Sequence, residues 1–298
     1  MKGKVLVTGS QGLVGSRFVE LYGSRFELLT PELSEFDFLN VPLMKKYLDA
    51  NPIDAVVNFA AYTDVAGTEA ERGNYDGLVW KINVTGLRDF INLLNPESTY
   101  FIQISTDMVF TGSGDDPGPY SEDHKICDDP SKLSWYGYSK AQGEKLVSGY
   151  FDNFSILRLI APVRAKFEAK LDFLRKHLQL YNEGKLYPLF YDQKISICYI
   201  DEICLTLEKL LEGRRGTYHA SSTDTISPYE LISYFIEAKY GVKDGVKKIS
   251  IHDFLKSSEN PTRYPVYGGL DSKLTQKKLN LRYSSSREII DKLIREGV

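Results

Sequence analysis

The sequence predicts an α/β fold, a doubly wound parallel sheet with a smaller mixed C-terminal lobe, on three observations. Short apolar or β-branched runs alternate with helical patterns through the first half. Those runs are almost continuously apolar, as strands covered on both faces must be. After about Ile160 the alternation gives way to a mixed pattern. In order, "KVLVTG", "FELLT", "DAVVNFAA", "YFIQIST" and "FSILRLI" read as strands, and Leu13 to Tyr22, Leu43 to Ala50 and Leu78 to Leu94 read as helices between them. Beyond Ile160 come a longer helical stretch, "KFEAKLDFLRKHLQLY", then "LYPLFYDQKISICYI" with aromatic and strand-like residues, then a helix from Asp201 to Leu211. In "SPYELISYFIEAKYG", Ser227 can cap a helix that has Pro228 at its first position and Glu230 three residues on. No repeat, low-complexity tract or long linker separates the halves. Two interleaved lobes, 1–160 and 161–298, are therefore expected.

Composition narrows the function classes. The 298 residues, 42% hydrophobic, suffice for one large domain or two lobes. A net charge of -3 and a pI near 5.9 provide no basic stripe for a phosphate backbone, so a dedicated nucleic-acid binder is disfavoured. The apolar run Val5 to Val7 after the N-terminal lysines is too short for a signal peptide, and no segment approaches the roughly 18 to 20 apolar residues of a membrane span. A cytoplasmic protein is expected. Cys127, Cys198 and Cys204 are few and odd in number, which suits a reducing compartment, and the four histidines are scattered, so no metal site is expected.

"VLVTGSQGLVGSRF" sets Gly9, Gly12 and Gly15 at spacing three, directly after the first strand and at the start of the first helix. A glycine turn there lets the backbone approach a pyrophosphate, and the helix N-terminus offers amides and a positive dipole end. Gly9, Gln11, Gly12, Leu13, Val14 and Gly15 are the candidate cofactor-binding residues of this turn. An acid closing the second strand would bond the ribose of NAD, but "FELLTPEL" ends in Thr30 and Pro31, with Glu32 beyond. NADH and NADPH both stay open. Arg17 either reaches a 2′-phosphate or lies exposed on its helix; Asp37 and Phe38 either meet the adenine or form a surface turn.

"SWYGYSK" places Tyr136 and Lys140 four apart, on one face of a helix. Tyr181 and Lys185 repeat that spacing without a preceding Ser/Thr strand and read as surface residues.

The glycine turn, "NFAAYTDVAGTEAE", "ISTDMVF", "YGYSKAQGE" and "YDQ" together resemble the extended short-chain dehydrogenase/reductases, and within them the dTDP-4-dehydrorhamnose reductase subgroup, to which the methionine adenosyltransferase beta subunit also belongs. "GTYHASSTDTISPYELI" and "RYPVYGGLDSKL" extend the resemblance over nearly the whole chain. It implies a Rossmann lobe binding NADPH or NADH, a substrate-binding lobe, a nucleotide-sugar-like substrate, and a homodimer as a candidate assembly. It also implies a catalytic trio of Thr106, Tyr136 and Lys140. Tyr136 would protonate a substrate carbonyl held by Thr106, the Lys140 ammonium would lower the phenol toward operating pH and bond the nicotinamide ribose, and both residues would thus also touch the cofactor. Ala60, Ala61 and Tyr62 would line the dinucleotide. Asn83 resembles the family's helix asparagine or is a satisfied polar residue. Asp107 would touch the sugar or cap a turn. Asp192, Gln193 and Arg263 match substrate-lobe positions, Arg263 facing a diphosphate or forming a surface ion pair.

The match departs at four places. Met108 stands where the subgroup has a sugar-site tyrosine, and "RLIAPVRA" lacks its tryptophan. Arg17 replaces a glutamate that assists magnesium in some members. The segment "DHKICDDPSKLSW" is about two residues longer than usual and brings Trp135 beside Tyr136, as a stacking platform for substrate or as a loop anchor. The expected activity is NAD(P)H-dependent reduction of a keto group, the 4-keto group of a nucleotide-linked deoxysugar. The alternatives are an epimerase or dehydratase of the same family and a dinucleotide-binding regulatory subunit.

Overall fold

The computed structural model describes residues 3–298. Met1 and Lys2, part of the stretch weighed as a leader, lie outside the described residues. The first half runs β1 (Lys4–Thr8), α1 (Leu13–Tyr22), β2 (Glu27–Leu29), α2 (Val41–Ala50), β3 (Ala55–Asn58), α3 (Val65–Thr68), α4 (Leu78–Trp80), α5 (Leu87–Ile91), β4 (Tyr100–Thr106), α6 (Trp135–Tyr150) and β5 (Phe154–Leu159). The second half runs β6 (Pro162–Val163), α7 (Phe173–Asn182), β7 (Leu189–Phe190), β8 (Cys198–Tyr199), α8 (Ile200–Leu210), β9 (Gly216–Ala220), α9 (Pro228–Tyr240), β10 (Lys248–Ile249), α10 (Ile251–Leu255), α11 (Lys273–Leu279) and α12 (Ser286–Arg295).

Six strands form one sheet in the order β2-β1-β3-β4-β5-β9. β1 lies parallel to both neighbours, with Val5 opposite Leu28 on one side and Ala55 on the other, and β3 is parallel to β4. Strand order therefore reverses between β1 and β3, which opens a crevice at their carboxyl ends where such sheets take ligands. The doubly wound sheet predicted from the apolar runs is the observed one.

The chain divides into two compact units. One comprises the residues up to Val109, Lys125–Arg158 and Cys204–Tyr218; the other comprises Phe110–His124, Leu159–Ile203 and His219–Val298. Relative to a division at residue 160, Phe110–His124, Leu159 with Ile160, and Cys204–Tyr218 fall on the other side. The first unit is packed around Leu6, Met44, Val56, Phe90, Phe101 and Phe151. The second is packed around Leu174, Leu231, Phe235, Ile236, Ile289 and Leu293, each such buried aliphatic side chain being worth about 1.5–3 kcal/mol. Ser227 and Glu230 close the capping box that the sequence predicts for α9.

Two helices differ from expectation. The stretch predicted as continuous from Leu78 to Leu94 is interrupted by a π turn, Lys81–Gly86. The widened turn carries buried Asn83, and it carries Gly86, where a Cβ would stand 2.7 Å from the Phe38 carbonyl oxygen. The stretch from Lys166 becomes helical only at Phe173. The Asp172 carboxylate caps α7, and the Arg175 guanidinium ties back to the carbonyls of Phe167 and Lys170, which holds the preceding residues in a loop. Among the described residues, no helix is long and apolar enough to cross a membrane.

Candidate active site

The crevice begins with backbone geometry. Gly9 has φ +62, and a Cβ there would stand 2.8 Å from the Ala60 amide nitrogen. Only glycine accepts both the left-handed conformation and the approach of the β3 loop. The Gly12 amide closes a turn onto the Gly9 carbonyl at 3.0 Å, and Gly12 then becomes the N-cap of α1, with no side chain to occupy the first-turn amides. At Gly15 a Cβ would lie 2.5 Å from the Gly9 oxygen, so this glycine seats the helix against the turn. Below the turn, buried side chains tie three strand ends together. The Thr8 hydroxyl donates to the Asn58 Oδ1 and accepts from the Ala60 amide, and Asn58 Nδ2 donates to Gln103 Oε1 at 2.8 Å.

The result is a cavity of about 270 Å³ lined by Thr8 to Gly12, Pro31, Leu33, Phe36 to Phe38, Ala60, Ala61 and Ile82. Of the residues predicted for a cofactor, Gly9, Gln11, Gly12, Asp37, Phe38, Ala60 and Ala61 line it. Leu13, Val14, Gly15 and Tyr62 do not, because they lie behind the turn or beyond the β3 loop; nor do Tyr136 and Lys140, which stand on α6. Thr8, Ser10, Pro31, Leu33, Phe36 and Ile82 are further lining residues; Thr8, Ser10 and Pro31 adjoin the ends of β1 and β2, whereas Leu33, Phe36 and Ile82, the last in the π turn, are brought there by the fold and carry no local signal. A glycine cradle with a helix N-terminus and an apolar slot fits a dinucleotide. Among the described residues, no Lys or Arg lines the cavity, and Arg17 pairs instead with Glu20 at 3.1 Å.

The second part of the site is the junction of β4 with α6. β4 ends at Thr106, whose hydroxyl donates to Asp107 Oδ1 at 3.0 Å and accepts from the Met108 amide at 3.2 Å. Ser134 caps α6 by accepting from the Gly137 amide at 3.0 Å. Gly137 touches the segment after β4 so closely that a Cβ would stand 2.1 Å from the Met108 oxygen. Tyr136 is thereby carried next to Asp107. Burial, and after it the Asp107 carboxylate, pushes the Tyr136 phenol above its ordinary value. Burial likewise raises the Asp107 carboxyl to about 6, against the hydrogen bond from Thr106. Lys140, one turn along α6, is buried and donates from Nζ to the Ile104 carbonyl at 2.7 Å. Burial lowers its ammonium to about 8, opposed by Glu144, which is itself held by Arg158 in a buried bidentate pair.

Two expectations change here. The Lys140 ammonium is expected to lower the phenol; the phenol is raised instead, by burial and then by the Asp107 carboxylate. Trp135 was offered as a stacking platform or a loop anchor. It is 1% exposed and stacks on Trp80 at 5.2 Å, so it has no face for a sugar and acts as the anchor.

Asn83 joins the two parts. Its Oδ1 accepts from the Tyr62 amide at 2.7 Å, while its Nδ2 donates to the Tyr62 carbonyl and to Ser139 Oγ, which in turn donates to the Tyr136 carbonyl. In the second unit, Asp192 caps α10 through Ser250 and Ile251, and Gln193 donates to the Pro265 carbonyl. Arg263 lies against the Tyr264 ring with its Nε buried and without a hydrogen-bond partner. Lys185 pairs with Glu183 on the surface, as expected, whereas Tyr181 stacks on Tyr240 and is half-buried against the core of the second unit.

The sheet, its glycine turn and the crevice at the β1–β3 reversal define a dinucleotide-binding oxidoreductase of the extended short-chain dehydrogenase/reductase class. The family model described as "RmlD substrate binding domain" matches residues 3–297, and the chain belongs to that family. Among similar proteins, one from Haloferax volcanii named as a probable low-salt glycan biosynthesis reductase is 28% identical over 271 residues, covering 86% of this chain and 87% of that one. A dTDP-4-dehydrorhamnose reductase from Aggregatibacter actinomycetemcomitans is 27% identical over 248 residues, covering 79% of each. The crystal structure of a dTDP-4-dehydrorhamnose reductase from Bacillus anthracis in complex with NADP superposes with a TM-score of 0.85 at 25% identity, covering 99% of this chain and 100% of that one.

Proposed function

We propose that this protein uses NADPH or NADH to reduce the 4-keto group of a nucleotide-linked deoxysugar, with Tyr136 as the general acid. The observation that supports the reading is the junction at Gly137, which seats the first turn of α6 on the Met108 carbonyl and leaves Tyr136 within the influence of the Asp107 carboxylate, next to Thr106 in sequence. Gly9 to Gly12 and the first turn of α1 would hold the pyrophosphate, and Asp37, Phe38, Ala60 and Ala61 the adenosine end. The nicotinamide supplies the hydride when bound.

Thr106 would orient the substrate carbonyl, and Tyr136 would release its proton as the oxygen becomes an alkoxide. A raised phenol keeps its proton across neutral pH, and an alkoxide is basic enough to take it. Lys140, still largely charged at neutral pH, would steady the phenolate that remains. Arg263 is the candidate partner for the diphosphate, on the strength of its unpartnered buried Nε. Because position 108 carries methionine rather than tyrosine, the sugar loses a phenol partner there, and substrates beyond dTDP-4-dehydrorhamnose belong in the test.

The test is absorbance at 340 nm with NADH or NADPH and a panel of nucleotide-linked 4-keto sugars. Tyr136→Phe is expected to lower turnover by on the order of 10² to 10⁴ while leaving cofactor affinity near that of the unaltered protein. Unchanged turnover removes Tyr136 from the mechanism. Tight cofactor binding without oxidation on any sugar favours the regulatory-subunit reading. The cytoplasmic location and the homodimer belong to the same proposal; fractionation and sedimentation velocity test them.

A further inference from the structure

The residues before α6 are held from one side by an unusual arrangement of two charged side chains. Glu69 and Arg72 lie on and just after a single 3-10 turn, Glu69–Glu71. The Glu69 carboxylate is 4% exposed and accepts the Trp135 amide at 2.7 Å, the first amide of α6. Its other oxygen accepts Arg72 Nε at 2.8 Å. The same guanidinium donates to the Pro130 carbonyl at 2.9 Å and to the Leu133 carbonyl at 2.8 Å. One planar fork therefore fixes residues 130, 133 and, through Glu69, 135, all inside the segment that leads into α6. Glu71, on the same turn, accepts the Val79 amide and so starts α4, whose Trp80 stacks on Trp135.

The opposite side of the same helical turn is the Gly137 contact with the Met108 carbonyl, which permits no added atom. Tyr136 lies between the two restraints, one residue from each. Neither restraint touches the phenol. Their common effect is to set where the first turn of α6 stands relative to the end of β4.

We propose that Glu69 and Arg72 are positioning residues for Tyr136, a clamp that holds the start of α6 against the Thr106–Met108 segment at the distance that proton transfer needs. This rests on the reading of Tyr136 as the general acid. A lysine cannot replace Arg72, because an ammonium cannot present three donors in one plane to a carboxylate and two carbonyls. A displacement of about 1 Å at the proton donor is enough to lower a rate by roughly 10²-fold. Substrate and cofactor affinities, which do not depend on that distance, should stay.

The experiment compares Arg72→Lys, Arg72→Ala and Glu69→Gln in the full-length protein by two independent readouts. In steady-state kinetics, Arg72→Lys and Arg72→Ala should lower kcat by roughly 10- to 100-fold with KM and cofactor Kd within about twofold, and added guanidinium ion should restore part of kcat in Arg72→Ala only. Glu69→Gln keeps an acceptor for the Trp135 amide and should lose less. In hydrogen–deuterium exchange, peptides covering 130–138 should exchange at least about tenfold faster in the Arg72 variants, with those of β4 unchanged. Arg72→Lys preserves charge and stem, so it remains informative if Arg72→Ala folds poorly.

Unchanged exchange and unchanged kcat in Arg72→Lys overturn the clamp. Faster exchange with full kcat overturns the positioning role, and an equal rise in KM with no fall in kcat does the same. Full turnover in Tyr136→Phe removes Tyr136 as the general acid, a failure of the reading on which the clamp rests and separate from these arms.

Discussion

The two halves of the candidate site are built in opposite ways. At the glycine turn, position comes from backbone: a left-handed residue, a turn hydrogen bond and two glycines into which no Cβ fits. At the start of α6, position comes from side chains far away in the sequence: Glu69, Arg72 and Trp80 on one side, and Arg158 holding Glu144 beside Lys140 on the other. The first half is set by backbone within a few residues and by the β3 loop that packs against Gly9 at Phe59 and Ala60. The second depends on charged groups removed from water, which stabilise only while every partner is present.

That contrast can be broken most strongly at the buried pair. Glu144→Gln leaves the Arg158 guanidinium buried without its carboxylate and should cost about 3–5 kcal/mol, read as a fall in the urea midpoint. Replacing both partners by apolar residues of similar volume should recover most of it, which would show that completeness of the pair, not its charge, matters. Gly137→Ala comes next. Its Cβ would meet a backbone oxygen that cannot yield, so a loss of about 3 kcal/mol and a lower kcat are expected, measured by denaturation and the 340 nm assay.

Gly15→Ala should cost less, about 2 kcal/mol, because α1 can shift slightly on its turn, but that shift should weaken NAD(P)H binding in calorimetry while kcat at saturation changes little. The smallest effect distinguishes the two halves by pH. Asp107 is raised to about 6 by burial, so the folded state gains from its protonated form at low pH and loses that gain as pH rises through about 6. Asp107→Asn should therefore stabilise the protein more at pH 8 than at pH 4, by on the order of 1 kcal/mol since the group is half-buried, read as a difference in Tm. An equal shift at both pH values would mean that the carboxylate is better solvated than its surroundings indicate.

What could be read before folding follows the same division. The strands and α1 were legible because burial on both faces demands apolar runs, and Ser227 with Glu230 announced α9 because a capping box is complete within four residues. Asp172 was legible in principle as a cap, yet the helical pattern ahead of it masked the loop that Arg175 imposes. The π turn around Asn83 had no sequence signal, since its cause is a pair of partners, Tyr62 and Ser139, on other elements.

By itself the sequence determined the parallel sheet, the glycine turn after β1, and the placing of Tyr136 and Lys140 on one helical face, because each depends on neighbours within a few residues. The tertiary structure alone decided that Trp135 is an anchor, that the phenol is raised rather than lowered, and that Glu69 and Arg72 hold the helix start. Those contacts join residues 61 and 66 positions apart, and burial depends on what packs over a group, which no local spacing encodes.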